Sequence, residues 1–202
     1  NRRLDNIEYP FLQIDARYEK VRVQGHIISQ AVLVVVGIDS FGFRRILDWR
    51  IADSESLQSW GQLFKDLKDR GLTGLKMVTS DAHKGIRAAI DRYFQGVIWQ
   101  RCRVHLKREL LRKIAWRYYH ELLGDIAAVF MPEDRVECLQ RSRGMADKWR
   151  DRYPAVAKLL EEGIEDCLAV CSLPVELRKK MSSTNMMENI MKQLKASEER
   201  YR

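Results

Sequence analysis

From residue 11 to residue 23 apolar and polar side chains alternate, the period of a β-strand with two unlike faces. Leu12, Ile14 and Ala16 fall on one face, and Gln13, Asp15 and Arg17 on the other. Gln24-Gly25 reads as a tight turn, because glycine accepts positive φ. Ile27 through Ile38 is a nearly unbroken apolar run rich in β-branched residues, which predicts a strand covered on both faces. Asp39-Ser40-Phe41-Gly42 predicts a second hairpin turn, and Phe43–Ile51 a third strand. The chain therefore opens as a three-stranded antiparallel meander.

The period then lengthens. Leu57, Trp60, Phe64 and Leu67 share one face of a helix capped by Ser54 and stopped near Arg70 by Gly71. Leu75–Thr79 predicts a short strand, Ala82–Phe94 a helix and Val97-Ile98-Trp99 a fifth strand. The order βββαβαβ predicts a mixed sheet with helical crossovers over residues 1–100. From Arg101 onward the spacing is helical throughout, with Leu106, Leu110, Ile114 and Tyr118 recurring every fourth position. Pro132, Pro154 and Pro174 divide this block into separate helices, so residues 101–181 form an all-helical insertion. Residues 182–202 predict a last helix with Met187, Ile190, Met191 and Leu194 as its apolar stripe.

Composition narrows the class. The chain has 202 residues, 46% hydrophobic and 32% charged, with a formal net charge of +8. That length suits one core with an inserted subdomain. The positive balance favours a polyanionic partner, nucleic acid ahead of a membrane surface. Cys102, Cys138, Cys167 and Cys171 are scattered and imply no disulfide framework, which suits a reducing compartment. The longest apolar run, Ala31–Val36, is too short to span a bilayer. The start Asn1-Arg2-Arg3 lacks an initiator methionine and reads as the interior of a longer protein.

Three acids stand out by their settings. Asp15 lies mid-strand, Asp81 follows a strand and precedes a helix, and Glu188 opens the last helix. Each has an ordinary explanation: a strand carboxylate paired with Arg17 or Lys20, a helix N-cap, and the N3 partner of an Asn185 cap. Jointly they can meet only through tertiary folding, and such a trio supplies the oxygen ligands of a two-metal phosphoryl-transfer site. Cys102 and His105 are spaced like half of a zinc site. Only Cys167 and Cys171 offer a second pair, so packing near the end of the sheet is the simpler reading. Arg101, Arg103, Lys107, Arg108, Arg112, Lys113 and Arg117 face a single acid, Glu109, over residues 101–117. Arg178-Lys179-Lys180 extends the same basic character. On a helix these side chains make either a solvated face or a phosphate-contacting surface, and the net charge favours the second.

These stretches together resemble the catalytic core of Mutator-superfamily transposases of the bacterial insertion-sequence branch. The matching residues are Ile14-Asp15-Ala16-Arg17-Tyr18-Glu19-Lys20-Val21-Arg22, Asp53-Ser54-Glu55-Ser56, Val78-Thr79-Ser80-Asp81-Ala82-His83-Lys84-Gly85, Trp99-Gln100-Arg101-Cys102-Arg103-Val104-His105 and Ser183-Thr184-Asn185-Met186-Met187-Glu188. The resemblance implies a ribonuclease-H-like fold, a five-stranded mixed sheet with an all-helical insertion before the last helix. It implies that Asp15, Asp81 and Glu188 hold two Mg²⁺ or Mn²⁺ ions, with Cys102 and His105 near the site rather than on zinc. It further implies DNA cleavage and strand transfer at element ends, a homodimer as the active complex, and a cytoplasmic, nucleoid-associated protein. Arg101, Arg103, Lys107, Arg108, Arg112 and Lys192 are then the candidates for DNA contact. A nuclease of the same fold without strand transfer, and a non-catalytic DNA-binding protein, stand beside this reading.

Overall fold

The structure is a computed structural model and describes residues 2–23, 25–187 and 189. They divide into two compact units, Asn1–Trp99 with Thr184–Arg202, and Gln100–Ser183.

In the first unit β1 (Phe11–Val23) and β2 (His26–Ile38) pair antiparallel along their whole length. Gly25, at φ +85°, lets the chain reverse between them. The next reversal is built by Asp39, whose Oδ1 accepts the Phe41 and Phe43 N–H groups at 3.0 and 2.9 Å. That turn delivers β3 (Arg44–Ala52) antiparallel to β2. α1 (Leu57–Asp69) starts at Ser56, not at Ser54 as the pattern predicts. Ser56 and Ser59 cap each other reciprocally, an arrangement that a search for a Glu or Gln at N3 misses. β4 (Met77–Ser80) follows, then α2 (Lys84–Tyr93) and β5 (Ile98–Arg101). The last two strands lie one or two residues later than the pattern predicts.

The sheet order is β3-β2-β1-β4-β5, with β1 parallel to β4 and antiparallel to β2. This is the ribbed centre of a ribonuclease-H-like fold, and it makes β1 the middle strand. Its Leu12 and Ile14 join Leu33, Val35 and Val78 beneath Trp60, Leu63, Phe64 and Leu67 of α1 and Ile86 and Ile90 of α2. Burying each of these side chains contributes about 1.5–3 kcal/mol, so this face anchors the unit. On the opposite face Val34 and Val36 pack against Met187.

The second unit is helical: α3 (Arg103–Leu111), α4 (Tyr119–Phe130), α5 (Arg135–Arg150), α6 (Pro154–Gly163) and α7 (Val175–Met181), with 3₁₀ segments Trp116–Tyr118 and Glu165–Ser172. Its own core gathers Leu106, Leu110, Leu122, Ile126, Trp149, Val156, Leu160 and Leu168. Pro154 occupies the first turn of α6, where its missing N–H costs nothing. Asp134 caps α5 by accepting the Glu137 N–H at 2.9 Å. No helix among the described residues is long and apolar enough to cross a membrane.

Candidate active site

Strand register would bring two of the three acids level. Gln13 of β1 pairs with Thr79 of β4 in parallel. Two residues further along each chain stand Asp15 and Asp81 (15 − 13 = 81 − 79 = 2). Neighbouring strands run about 4.8 Å apart, so the same register carried two residues past the last pair would set these residues side by side just beyond the carboxyl end of β4. Asp15 is 8% exposed, and its Oδ1 accepts the Ala16 N–H at 3.0 Å. Alternation puts it on the face of Val34, its antiparallel partner, rather than on the face covered by α1 and α2.

Asp81 is not the cap of α2. That role falls to His83, whose Nδ1 accepts the Gly85 N–H at 3.2 Å. The Asp81 Oδ1 instead accepts the His83 N–H at 3.1 Å, which folds the carboxylate back over its own turn. Ser80 stiffens the strand end by donating to the Asp81 carbonyl at 2.7 Å and accepting the Trp99 indole N–H at 2.9 Å. The Arg87 guanidinium lies over the Trp99 ring at 4.3 Å.

A residue that sequence reasoning did not single out supports this turn. The Glu55 side chain is 6% exposed, accepts the Trp60 indole N–H at 3.3 Å, and has Oε1 3.6 Å from His83 Nδ1. The Glu55 N–H is itself fixed by the Tyr18 hydroxyl at 3.1 Å. A Cβ on Gly85 would lie 2.8 Å from the Glu55 carbonyl oxygen, so only glycine lets α2 start this close. In sequence Glu55 reads as an acid beside a helix cap; the one signal for it was its place in the Asp53–Ser56 stretch.

Glu188 and Lys192 lie outside the described residues. The segment leading to Glu188 does not: Met187 packs on Val34 and Val36, and Val34 is the cross-strand partner of Asp15. Asn185 is already helical and the Met187 N–H donates to the Thr184 carbonyl at 2.8 Å, so Asn185 is not the cap that its spacing suggests.

The remaining candidates belong to the helical unit. Cys102 is fully buried and precedes α3 without capping it through its side chain. His105 is half-buried on α3. Burial pushes the Cys167 thiol up to about 12, although Arg101 and Arg103 pull it the other way. A thiol so disposed is the opposite of a ready metal ligand. No group of three or more His, Cys, Asp or Glu among the described residues is arranged to hold a metal ion, and Glu188 is not one of those residues.

Two of the predicted DNA-contact residues turn inward instead. Arg101 belongs to β5 and is 6% exposed, with its guanidinium 3.0 Å from the Glu109 carboxylate. Arg103 donates to the Cys167 carbonyl at 3.0 Å and lies over the Phe130 ring at 4.4 Å; burial draws its pKa below the ordinary arginine value. Counting cations along 101–117 treats them as one helix surface, whereas the first two flank the junction of β5 and α3. Lys107 and Arg108 are half-buried and Arg112 is exposed.

The family described as "Transposase, Mutator family" matches residues 1–202. The transposase for insertion sequence element ISRM5 of Rhizobium meliloti (strain 1021) is 37% identical over 206 residues, covering 96% of this chain and 52% of that protein. The transposase for insertion sequence element IS406 of Burkholderia multivorans is 33% identical over 189 residues, covering 93% of this chain and 49% of that protein. The chain thus spans about half the length of the curated relatives it matches. Among solved structures, the HTLV-2 integrase catalytic core domain in complex with magnesium aligns at TM-score 0.31 and 9% identity, over 61% of this chain and 85% of that one, a likeness too slight to bear on the chemistry.

Proposed function

This chain belongs to the Mutator family of transposases, and on that premise we propose that it is the catalytic region of an enzyme that cuts and joins DNA at insertion-sequence ends. The observation that carries the reading is the parallel register of Gln13 with Thr79, which leaves Asp15 and Asp81 each two residues further along. Carboxylate oxygens at that spacing suit hard divalent cations, Mg²⁺ or Mn²⁺, in preference to softer metals. Glu188 is the third ligand in this reading; its chain neighbour Met187 packs on Val34, the cross-strand partner of Asp15. Two ions held there by Asp15, Asp81 and Glu188 would supply a water nucleophile and neutralise charge on the leaving oxygen.

The protein's own part is positioning. Asp15 is fixed on the central strand of the sheet, the least mobile place in the unit. Asp81 is held by its Ser80 and His83 contacts, and the His83 ring lies 3.6 Å from the Glu55 carboxylate. The chemistry is hydrolysis of one phosphodiester, which frees a 3′-hydroxyl, followed by attack of that hydroxyl on target DNA. No covalent link between protein and DNA is needed. The test is Asp81→Asn in the full-length transposase with DNA carrying element ends. Cleavage drops to background while DNA binding persists; normal cleavage would falsify the assignment. Joined products separate a transposase from a nuclease that only cuts.

A further inference from the structure

β1 and β2 are each 13 residues long, but the rest of the sheet accompanies them for only part of that length. β4 pairs with β1 at Phe11–Gln13, and β3 pairs with β2 from Ala31 to Ile38. From the pair Glu19–Gln30 to the pair Val23–His26, no third strand lies beside them among the described residues. Five residues at about 3.3 Å each make a ribbon roughly 17 Å long. It begins four residues beyond Asp15, on the same strand.

A two-stranded ribbon is marginal by itself in water, and its bare edges invite pairing with other chains. This one has little core of its own: Ile27 is 65% exposed, Ile28 38%, and Tyr18 at its base 50%. Its charge is lopsided, with Arg17, Lys20 and Arg22 against Glu19, and Arg17 holds Glu19 at 2.6 Å. The surplus is Lys20 and Arg22, both exposed and, by alternation, on one face. Two residues apart on a strand is about 6.6 Å, close to the rise of two base steps at about 3.4 Å each. The major groove of B-DNA, about 12 Å wide, admits a two-stranded ribbon.

We propose that the β1–β2 ribbon is a duplex-DNA arm, seated along the groove with Lys20 and Arg22 on backbone phosphates. The inference rests on the reading of DNA as substrate. A second copy of the chain fits the ribbon less well, because edge pairing between copies would bring the Lys20 and Arg22 charges together.

The test is binding of the 202-residue chain to a labelled DNA duplex across a salt series without divalent metal. Each lost phosphate contact removes about 0.9 from the slope of log K against log salt. The double substitution Lys20→Ala, Arg22→Ala is therefore expected to flatten the slope by about 1.8 and to weaken binding about 30-fold near physiological salt. Lys158→Ala, an exposed lysine on α6, leaves both unchanged. Unchanged affinity and slope in the double variant, with an unchanged melting temperature, overturn the ribbon proposal. So does a loss of binding that sedimentation traces to a changed oligomeric state. Either result leaves the Asp81→Asn cleavage test intact, whereas a wild-type chain that binds no duplex overturns both readings.

Discussion

The sheet unit buries acids and the helical unit buries arginines. In the sheet unit Asp15 and Glu55 are 8% and 9% exposed. Among the helices Arg101 is 6% exposed and Arg103 is half-buried, one held by Glu109 and the other by a carbonyl and an aromatic face. Burying a charge costs several kcal/mol unless it is compensated. The helical unit compensates its guanidiniums from within, which is the mark of a structural role. Asp15 and Asp81 are proposed instead to meet at the carboxyl end of β4, where open α/β sheets place their ligands and like charges call for cations from outside. The contrast separates residues that hold the fold from residues proposed to act on a substrate.

The sharpest way to break this comparison is to remove charge from each side in turn. Asp15→Asn or Asp81→Asn should lower DNA cleavage by about a thousandfold or more, the rate equivalent of several kcal/mol of lost charge stabilisation. Neither should lower the melting temperature; a variant that unfolds while still cutting DNA would make these acids structural. Glu109→Gln should do the reverse. It strips the partner from a guanidinium 8% exposed, and because Glu109 is itself 35% exposed the expected loss is about 2 kcal/mol in chemical denaturation, short of the value for a fully buried pair. Full stability in that variant would remove the structural reading of Arg101.

Glu55→Gln probes the middle ground. It keeps an acceptor for the Trp60 indole but withdraws the charge beside His83, so cleavage should fall about tenfold with the melting temperature nearly unchanged. A pure loss of stability with full cleavage would assign Glu55 to the core instead. The smallest effect concerns Cys167. Its thiol is raised from 9.0 to about 12 by burial, so the fold keeps it protonated where an unfolded chain would ionise. The stability this lends is complete below pH 9.0 and drains as pH climbs toward about 12. Iodoacetamide at pH 8 should therefore label the half-exposed Cys171 well before Cys167. Equal labelling would mean that the helical interior opens easily.

Much of the architecture is legible in the chain because it is local. Alternation marks β1 over its full observed length, and the β-branched run marks β2 to within one residue. Helix starts were harder, since several polar residues compete for each cap. Ser54 loses to Ser56 because Ser59 returns the hydrogen bond, and Asp81 loses to His83 because Gly85 lets α2 begin against the Glu55 backbone. Arg101 and Arg103 read as surface cations because burial of an arginine depends on partners such as Glu109, Cys167 and Phe130 that local pattern does not announce.

What the sequence determined by itself is which face of its strand each β1 side chain, Asp15 included, occupies, because side-chain alternation follows from backbone geometry alone. The pairing of Gln13 with Thr79 was decided by the tertiary structure. Parallel register is set by how α1 and the connections around it pack across the sheet, not by any turn between the two strands. That register, carried two residues further, is what would bring Asp15 level with Asp81. A slip of one residue would leave every local pattern in the sequence intact and separate the two acids.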